Sequence, residues 1–304
     1  DRRRDRKMIN GTIRIGSRES VLAVIQSELI IEEIKRVCPG VSAQLVTMKT
    51  TGDMILDKSL EQIGGKGLFV KELDRALLDG RCDLTVHSLK DMPMEVPERL
   101  PILAYSKRED KRDVLVLRKG LESLPAGPVI GTFSRRRRMQ AARLYPDAVF
   151  KGIRGNLVTR LRKLDDGEYD ALILAAAGLI RMGFEGRISR YFSVDEIIPS
   201  AGQGIMAVQG RKEDYFPFMK EVDAPDSRAM ALAERAFVRI LDGGCSSPCA
   251  ACAEAAAGRL YLRGLYYDEA SDRYITGEME GMAEEAEQLG VKLALTLKNA
   301  FEQK

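Results

Sequence analysis

Between Thr12 and Gly16 the chain reads as extended, turns at Ser17, and from Glu19 to Val37 sets Leu22, Ile25, Leu29 and Ile30 at helical spacing. The same strand, turn, helix rhythm returns. Val41 to Met48 reads as a strand, and Leu68 to Leu78 as a helix with Phe69, Leu73, Ala76 and Leu77 on one face. Asp83 to His87 is then a buried strand. A second series starts near Asp113, with strands at Val114 to Leu117, Val129 to Gly131 and Ala171 to Ala175. Its helices span Ser134 to Leu144 and the segment bearing Leu157, Leu161 and Leu164. Alternation of this kind predicts mainly parallel sheets covered by helices.

Ala201 to Gly204 is a glycine-bearing turn, and the strand predicted at Ile205 to Gln209 is expected to cross back to the first lobe. From Asp226 the pattern changes. A helix carries Ala233, Phe237, Ile240 and Leu241 on one stripe, then strands at Arg259 to Tyr267 and Arg273 to Glu280 lead to a terminal helix. The expected class is α/β: two lobes with mainly parallel sheets and a small C-terminal α+β domain. Its boundaries are 1–107 with 204–222 for the first lobe, 108–203 for the second and 223–304 for the last. The alanine-rich run from Cys249 to Ala257 stands out and receives no element.

The 304 residues carry a net charge of +3, and Asp1 to Lys7 supply the whole excess. A neutral body argues against a uniformly basic nucleic-acid binder, which needs surplus Lys and Arg on at least one face. No run approaches the roughly 20 apolar residues of a membrane span, and no apolar signal core opens the chain. A cytoplasmic protein is expected, with Asp1 to Lys7 as a tail ahead of a start near Met8. Five cysteines, an odd number, argue against a disulfide framework. One histidine, His87, rules out multi-histidine zinc sites and leaves acid–base chemistry mainly to carboxylates, lysine or cysteine.

Arginines mark the loop-to-helix junctions: Arg14 and Arg18 at the first turn, Arg135 to Arg138 opening a helix, Arg154 before Gly155-Asn156, and Arg160 and Arg181 nearby. A helix start already carries partial positive charge, so arginine there points to an anion joining it. Guanidinium forks bind carboxylates or phosphates bidentately. A solvated face is the plainer reading of any one cluster. His87-Ser88-Leu89-Lys90-Asp91-Met92-Pro93 leaves a buried strand into a loop, where ligands of α/β sheets collect. His87 itself reads as structural. Gly64-Gly65-Lys66-Gly67 lacks the spacing and the terminal Lys-Ser/Thr of a phosphate-binding loop. Gly243-Gly244-Cys245 holds a cysteine as accessible as a nucleophile or attachment point must be. Cys245, Cys249 and Cys252 also match the spacing of three thiolates around an iron–sulfur cluster, but near a C-terminal α+β segment instead of after the first strand of a barrel.

Taken together, Ile13 to Arg18, Gly64 to Glu72, His87 to Pro93, Gly152 to Asn156, Ala201 to Gly204 and Gly243 to Cys245 resemble the porphobilinogen deaminase, or hydroxymethylbilane synthase, family over Ile13 to Leu297. The resemblance implies two lobes like type II periplasmic binding proteins, a catalytic cleft between them, and a dipyrromethane cofactor joined by a thioether to Cys245. It implies a transferase that condenses four porphobilinogen molecules head to tail with loss of ammonia. Water then releases the linear product, which uroporphyrinogen-III synthase would take up. Asp91 is the implied catalytic residue. The implied cofactor-binding set is Cys245, Lys90, Asp91, Ser134, Arg136, Arg137, Arg154, Gln203 and Gly204. The implied substrate-binding set is Arg14, Arg18, Gln26, Phe69, Arg154, Arg160 and Arg181. No metal, nucleic acid or membrane partner is expected, and the chain is expected to be a monomer. The sequence departs from the family's pattern at Phe133, where Ser is usual, Arg135, where Leu is common, Gln62, often Lys, and Gln209, often acidic. An iron–sulfur radical enzyme using Cys245, Cys249 and Cys252 is one competing reading, and a two-lobed binding protein for a small anion is the other. It would need neither Asp91 nor Cys245.

Overall fold

The computed structural model describes residues 7–8, 11–50, 70–241 and 248–303. The chain forms β1 (Lys7–Met8), β2 (Thr12–Arg18), α1 (Val21–Val37), β3 (Ser42–Met48), α2 (Lys71–Leu78), β4 (Leu84–Ser88) and β5 (Ile102–Tyr105). There follow β6 (Asp113–Leu117), β7 (Val129–Gly131), α3 (Arg135–Ala141), β8 (Val149–Lys151), α4 (Leu157–Asp165), β9 (Ala171–Ala175), α5 (Ala176–Arg181) and β10 (Arg190–Tyr191). Next come β11 (Met206–Gly210), β12 (Asp214–Tyr215), α6 (Met219–Val222) and α7 (Pro225–Ile240). The chain ends with β13 (Ala250–Ala256), β14 (Arg259–Asp268), β15 (Arg273–Met282) and α8 (Ala286–Glu302).

Two compact units result, Asp1–Arg108 with Ile205–Arg228, and Glu109–Gly204 with Ala229–Lys304. In the first, the sheet order is β3-β2-β4-β11-β5. β2 pairs in parallel with β3 and β4, while the returning strand β11 lies antiparallel between β4 and β5. Ile13, Ile15, Leu84, Val86 and Val208 pack from this sheet against Ile30 and Ile34 of α1. The second unit repeats the plan as β10-β6-β9-β7-β8, with β6 antiparallel to β9 and β10 and the β7 pairs parallel. Both sheets are mainly parallel, as expected. In each, one strand runs against the rest: β11, which returns from a distant stretch of chain, in the first, and β6, which opens the unit, in the second.

The second unit also contains an antiparallel meander, β13-β14-β15, covered by helices. A Cβ on Gly290 of α8 would lie 2.1 Å from the Ala233 carbonyl of α7, so the two helices touch backbone to backbone at a position only glycine allows.

Some local readings needed correction. The buried face of α1 is Gln26, Ser27, Ile30, Ile31 and Ile34, and Leu29 points outward. Two polar residues occupy that face because each finds a partner: Gln26 Nε2 donates to Ser88 Oγ at 2.9 Å and Ser27 Oγ to the Ala23 carbonyl at 3.0 Å. The alanine-rich run is the strand β13, its first four residues buried, because small side chains let a sheet approach closely packed neighbours. The short strands β5 and β8 and the helix α5 follow no periodicity long enough to read.

Candidate active site

In the first unit, β2 and β4 run parallel, so their C-terminal ends bring Ser17 and Arg18 to the same side of the sheet as Ser88, Lys90 and Asp91. After β4 the chain makes a single 3-10 turn, Leu89–Asp91, anchored by burial of Leu89 and by its N–H donating to the Ile205 carbonyl at 3.0 Å. That turn leaves Lys90 half-buried and Asp91 exposed. Among the described residues the Asp91 carboxylate has no hydrogen-bond or ion-pair partner, an arrangement that leaves both oxygens open to a ligand. Gln26 reaches the same end through Ser88.

His87 lies beneath this turn, its Nε2 3.0 Å from Thr85 Oγ1. Burial pushes its pKa down to about 4, Gln209 partly offsets this, and the charge of Arg18 lowers it further. A neutral, enclosed imidazole is structural, as the sequence suggested. Arg14 sits elsewhere. It lies at the N-terminal part of β2, where Nε and Nη2 grip both oxygens of Asp83 at 3.1 and 2.8 Å and its own N–H donates to Asp83 at 2.9 Å. At roughly 3.3 Å per residue, that is some 13 Å along the strand from Arg18. The structure therefore groups Arg18, Gln26, Lys90 and Asp91 and leaves Arg14 out of that group.

In the second unit the parallel strands β7, β8 and β9 lead at their C-terminal ends into α3, α4 and α5. Ser134 caps α3, its Oγ accepting from the Arg137 N–H at 3.3 Å, and Asn156 caps α4 by accepting from the Thr159 N–H at 2.9 Å. Both caps hold the chain extended immediately before the helix, which sets Phe133 and Arg154 at the sheet's edge. Arg136 and Arg137 turn inward to Asp113. Arg136 Nη1 donates to Asp113 Oδ2 and to the Ile198 carbonyl, each at 2.7 Å, while Arg137 Nε and Nη2 donate to Asp113 Oδ1 at 3.0 and 2.8 Å. Gln203 Nε2 completes the cluster, donating to Asp113 Oδ1 at 3.0 Å and to the Lys111 carbonyl at 2.8 Å.

Asp113 is wholly buried, and burial alone would raise its pKa. Arg136, Arg137 and the hydrogen bonds outweigh that and hold it below the ordinary carboxylate range. Part of the anion predicted at this helix start is thus the protein's own Asp113, which sequence reading missed. Its signal was an acid heading an otherwise apolar strand, Asp-Val-Leu-Val-Leu. Arg181 Nη2 donates to the Gly204 carbonyl at 2.6 Å, and Gly204 adopts φ +89°, a left-handed turn that aims this carbonyl. Arg160 Nε donates to the Gly155 carbonyl at 2.8 Å. Glu234, also unread from sequence, is buried in α7 and accepts from the N–H groups of Gly202 and Ala253 at 2.6 Å each, fixing the turn that carries Gln203 and Gly204.

The charge balance suits a group carrying several carboxylates. Asp113 offers one negative charge to two buried guanidiniums, Arg136 Nε is buried without a partner, and Arg154 meets no carboxylate among the described residues. Cys245 and Phe69 lie outside the described residues, as does most of Gly64 to Glu72. Cys249 and Cys252 are buried in the apolar cluster with Ile198, Leu265 and Tyr267.

Comparison with known proteins gives matches along most of the chain. The family model "Porphobilinogen deaminase, dipyromethane cofactor binding domain" matches residues 13–216. The model of the C-terminal domain of the same family matches 229–299. The porphobilinogen deaminase of Acetivibrio thermocellus is 52% identical over 285 residues, covering 94% of this chain and 97% of that protein. That of Alkaliphilus oremlandii is 51% identical over 290 residues, covering 95% and 98%. Among solved structures, the sulphonate-binding protein SsuA of Escherichia coli aligns with a TM-score of 0.41 at 12% identity, over 76% of this chain and 70% of that one. The periplasmic VFT2 domain of Bordetella pertussis BvgS aligns with a TM-score of 0.39 at 14% identity, over 66% and 81%.

Proposed function

The chain belongs to the porphobilinogen deaminase family, and from that membership we infer that it is a transferase that builds a linear tetrapyrrole, hydroxymethylbilane, from four molecules of porphobilinogen. The observation that carries the reading is the match of both family domains, with relatives about half identical across almost their whole length. Dipyrromethane, when bound, supplies the primer on which the pyrroles are joined. Cys245 is its attachment point in this reading. Ser134, Arg136, Arg137, Arg154, Lys90, Gln203 and Gly204 are the residues that would hold it.

Each condensation breaks the C–N bond of porphobilinogen's aminomethyl group, releases ammonia, forms a C–C bond and removes a proton from the attacked pyrrole carbon. After the fourth addition the four-pyrrole chain would be freed by water: its oxygen bonds to the methylene carbon of the first unit as the C–C bond joining that unit to the primer breaks, and its proton goes to the primer's pyrrole carbon. Positive charge spreads over the pyrrole nitrogen as ammonia leaves. Asp91, exposed at the end of β4 with both oxygens open, can accept from pyrrole N–H groups, stabilise that charge and carry the proton. Every unit brings an acetate and a propionate, so negative charge accumulates as the product lengthens. Arg18, Arg154, Arg160 and Arg181, with Gln26, are the groups we assign to those carboxylates, each charge-assisted hydrogen bond contributing about 1.5–3 kcal/mol. Arg14 is omitted because it sits toward the N-terminal end of β2, some distance along the strand from Arg18 and the Asp91 turn, and is held there by Asp83.

The division into three domains at the boundaries read from the sequence, a cytoplasmic monomer and transfer of the product to uroporphyrinogen-III synthase complete the proposal. Among the described residues no helix is long and apolar enough to cross a membrane. The test is conversion of porphobilinogen by the purified protein. Four molecules consumed and four ammonia released per hydroxymethylbilane formed is the expected result; binding without ammonia release would favour the anion-binding reading.

A further inference from the structure

Among the arginines at the strand ends of the second unit, most already give at least one N–H to the protein. Arg135 donates to Tyr267 and Glu269, Arg136 and Arg137 to Asp113, Arg160 to Gly155 and Arg181 to Gly204. Arg154 differs. Its guanidinium carbon lies 4.4 Å from the centre of the Phe133 ring, and among the described residues nothing accepts a hydrogen bond from its side chain.

A guanidinium stacked over a ring is held by the ring's electron-rich face, while all its N–H groups point outward in the guanidinium plane. The stack fixes the side chain without occupying a donor. The ring is itself constrained. Phe133 is 51% exposed, unusual for so large an apolar side chain, yet it is not loose. A Cβ on Gly152 would sit 2.9 Å from two of its ring carbons, so the ring rests directly on the backbone two residues before Arg154. Backbone extended by the Ser134 cap sets Phe133 from one side, and the β8 loop sets Gly152 and Arg154 from the other.

We propose that Phe133 is a positioning residue that pre-stacks Arg154 so that its open N–H edge meets a carboxylate of porphobilinogen or of the growing product. The proposal rests on the functional reading given above. A free arginine must give up its rotamer freedom when it binds a ligand, and the ring removes that cost beforehand. The gain belongs to binding, because the stack is the same before and during reaction. Phe133 therefore governs KM and leaves kcat alone.

The experiment compares Phe133→Leu, Phe133→Ser and Phe133→Tyr in the cofactor-bearing enzyme, each checked for wild-type melting. Leu and Ser are expected to raise KM for porphobilinogen about three- to tenfold with kcat within about twofold, and Tyr to restore wild-type KM. Loss of the carboxylate fork in Arg154→Leu should make a second change, Phe133→Leu, kinetically silent. An independent readout needs no turnover: the side-chain Nε–H resonance of Arg154 should lie upfield from ring current in wild type and Tyr and move downfield in Leu. Wild-type KM in Phe133→Leu, or equal effects with and without Arg154, overturns the proposal while the enzyme stays a deaminase. A wild-type protein that releases no ammonia from porphobilinogen overturns both.

Discussion

Replacing Asp113 by Asn tests the energetics of the second unit most sharply. The side chain keeps its shape but loses its charge, leaving Arg136 and Arg137 buried side by side; these residues are only 3% and 8% exposed. Three guanidinium-to-carboxylate contacts between 2.7 and 3.0 Å, counting both arginines, lose their ionic acceptor or weaken. Breaking one partner of a buried ion cluster costs about 3–5 kcal/mol, since the remaining charges stay desolvated. For a domain of this size that corresponds to a fall in melting temperature on the order of 10 °C. Linkage gives the pH dependence. Asp113's folded pKa lies below its unfolded one, so its contribution is present in full above the unfolded carboxylate pKa and is lost as pH falls toward the folded value. Wild type and Asp113→Asn should therefore differ fully at pH 7 and converge progressively below about pH 4. Melting curves of both proteins from pH 7 to pH 3 measure this. A variant that melts within about 2 °C of wild type at pH 7 would refute the reasoning, because the cluster would then contribute no net stability.

Other consequences are equally direct. His87 has a folded pKa of about 4 against 6.5 unfolded, so the unfolded chain binds the extra proton between those values and stability falls as pH drops through that window. Wild type should lose about 2–3 kcal/mol more than His87→Gln between pH 7 and pH 4.5 in urea titrations; equal losses would show that this imidazole does not titrate as described. Gly290→Ala forces a Cβ to within 2.1 Å of the Ala233 carbonyl and should cost about 1–3 kcal/mol by separating α7 from α8, measured by thermal melting. Asp91→Ala should lower turnover by at least about a hundredfold. It should move the melting temperature hardly at all, because the carboxylate has no partner to lose among the described residues. A large loss of stability with turnover kept would assign Asp91 to the scaffold.

The α/β alternation was legible because long apolar runs such as Ala171 to Ala175 and the Leu157, Leu161, Leu164 stripe carry their own periodicity. The arginine-rich helix starts were legible too, since charge beside a helix start is locally unfavourable and asks for an anion. What those arginines touch was not. Arg136 and Arg137 lie more than 20 residues from Asp113 in sequence, and only the antiparallel register of β6 on β9, with Asp113 opposite Ala175, brings the acid to the strand ends. Arg14 and Arg18 look alike in one short motif, yet four residues of extended chain put them at different ends of a strand, one against Asp83 and one beside the Asp91 turn. Gln26 and Ser27 displaced the expected apolar stripe of α1 because hydrogen bonds to Ser88 and Ala23 satisfy them, information that no hydropathy pattern contains.

The most direct measurement is the intact mass of the purified, catalytically active protein beside that of Cys245→Ala. Wild type should exceed the mass of its polypeptide by one covalently bound dipyrromethane, and the variant should match its bare chain and form no tetrapyrrole. A wild-type protein of bare polypeptide mass that still converts porphobilinogen, or a Cys245→Ala protein carrying the same adduct, would contradict the account.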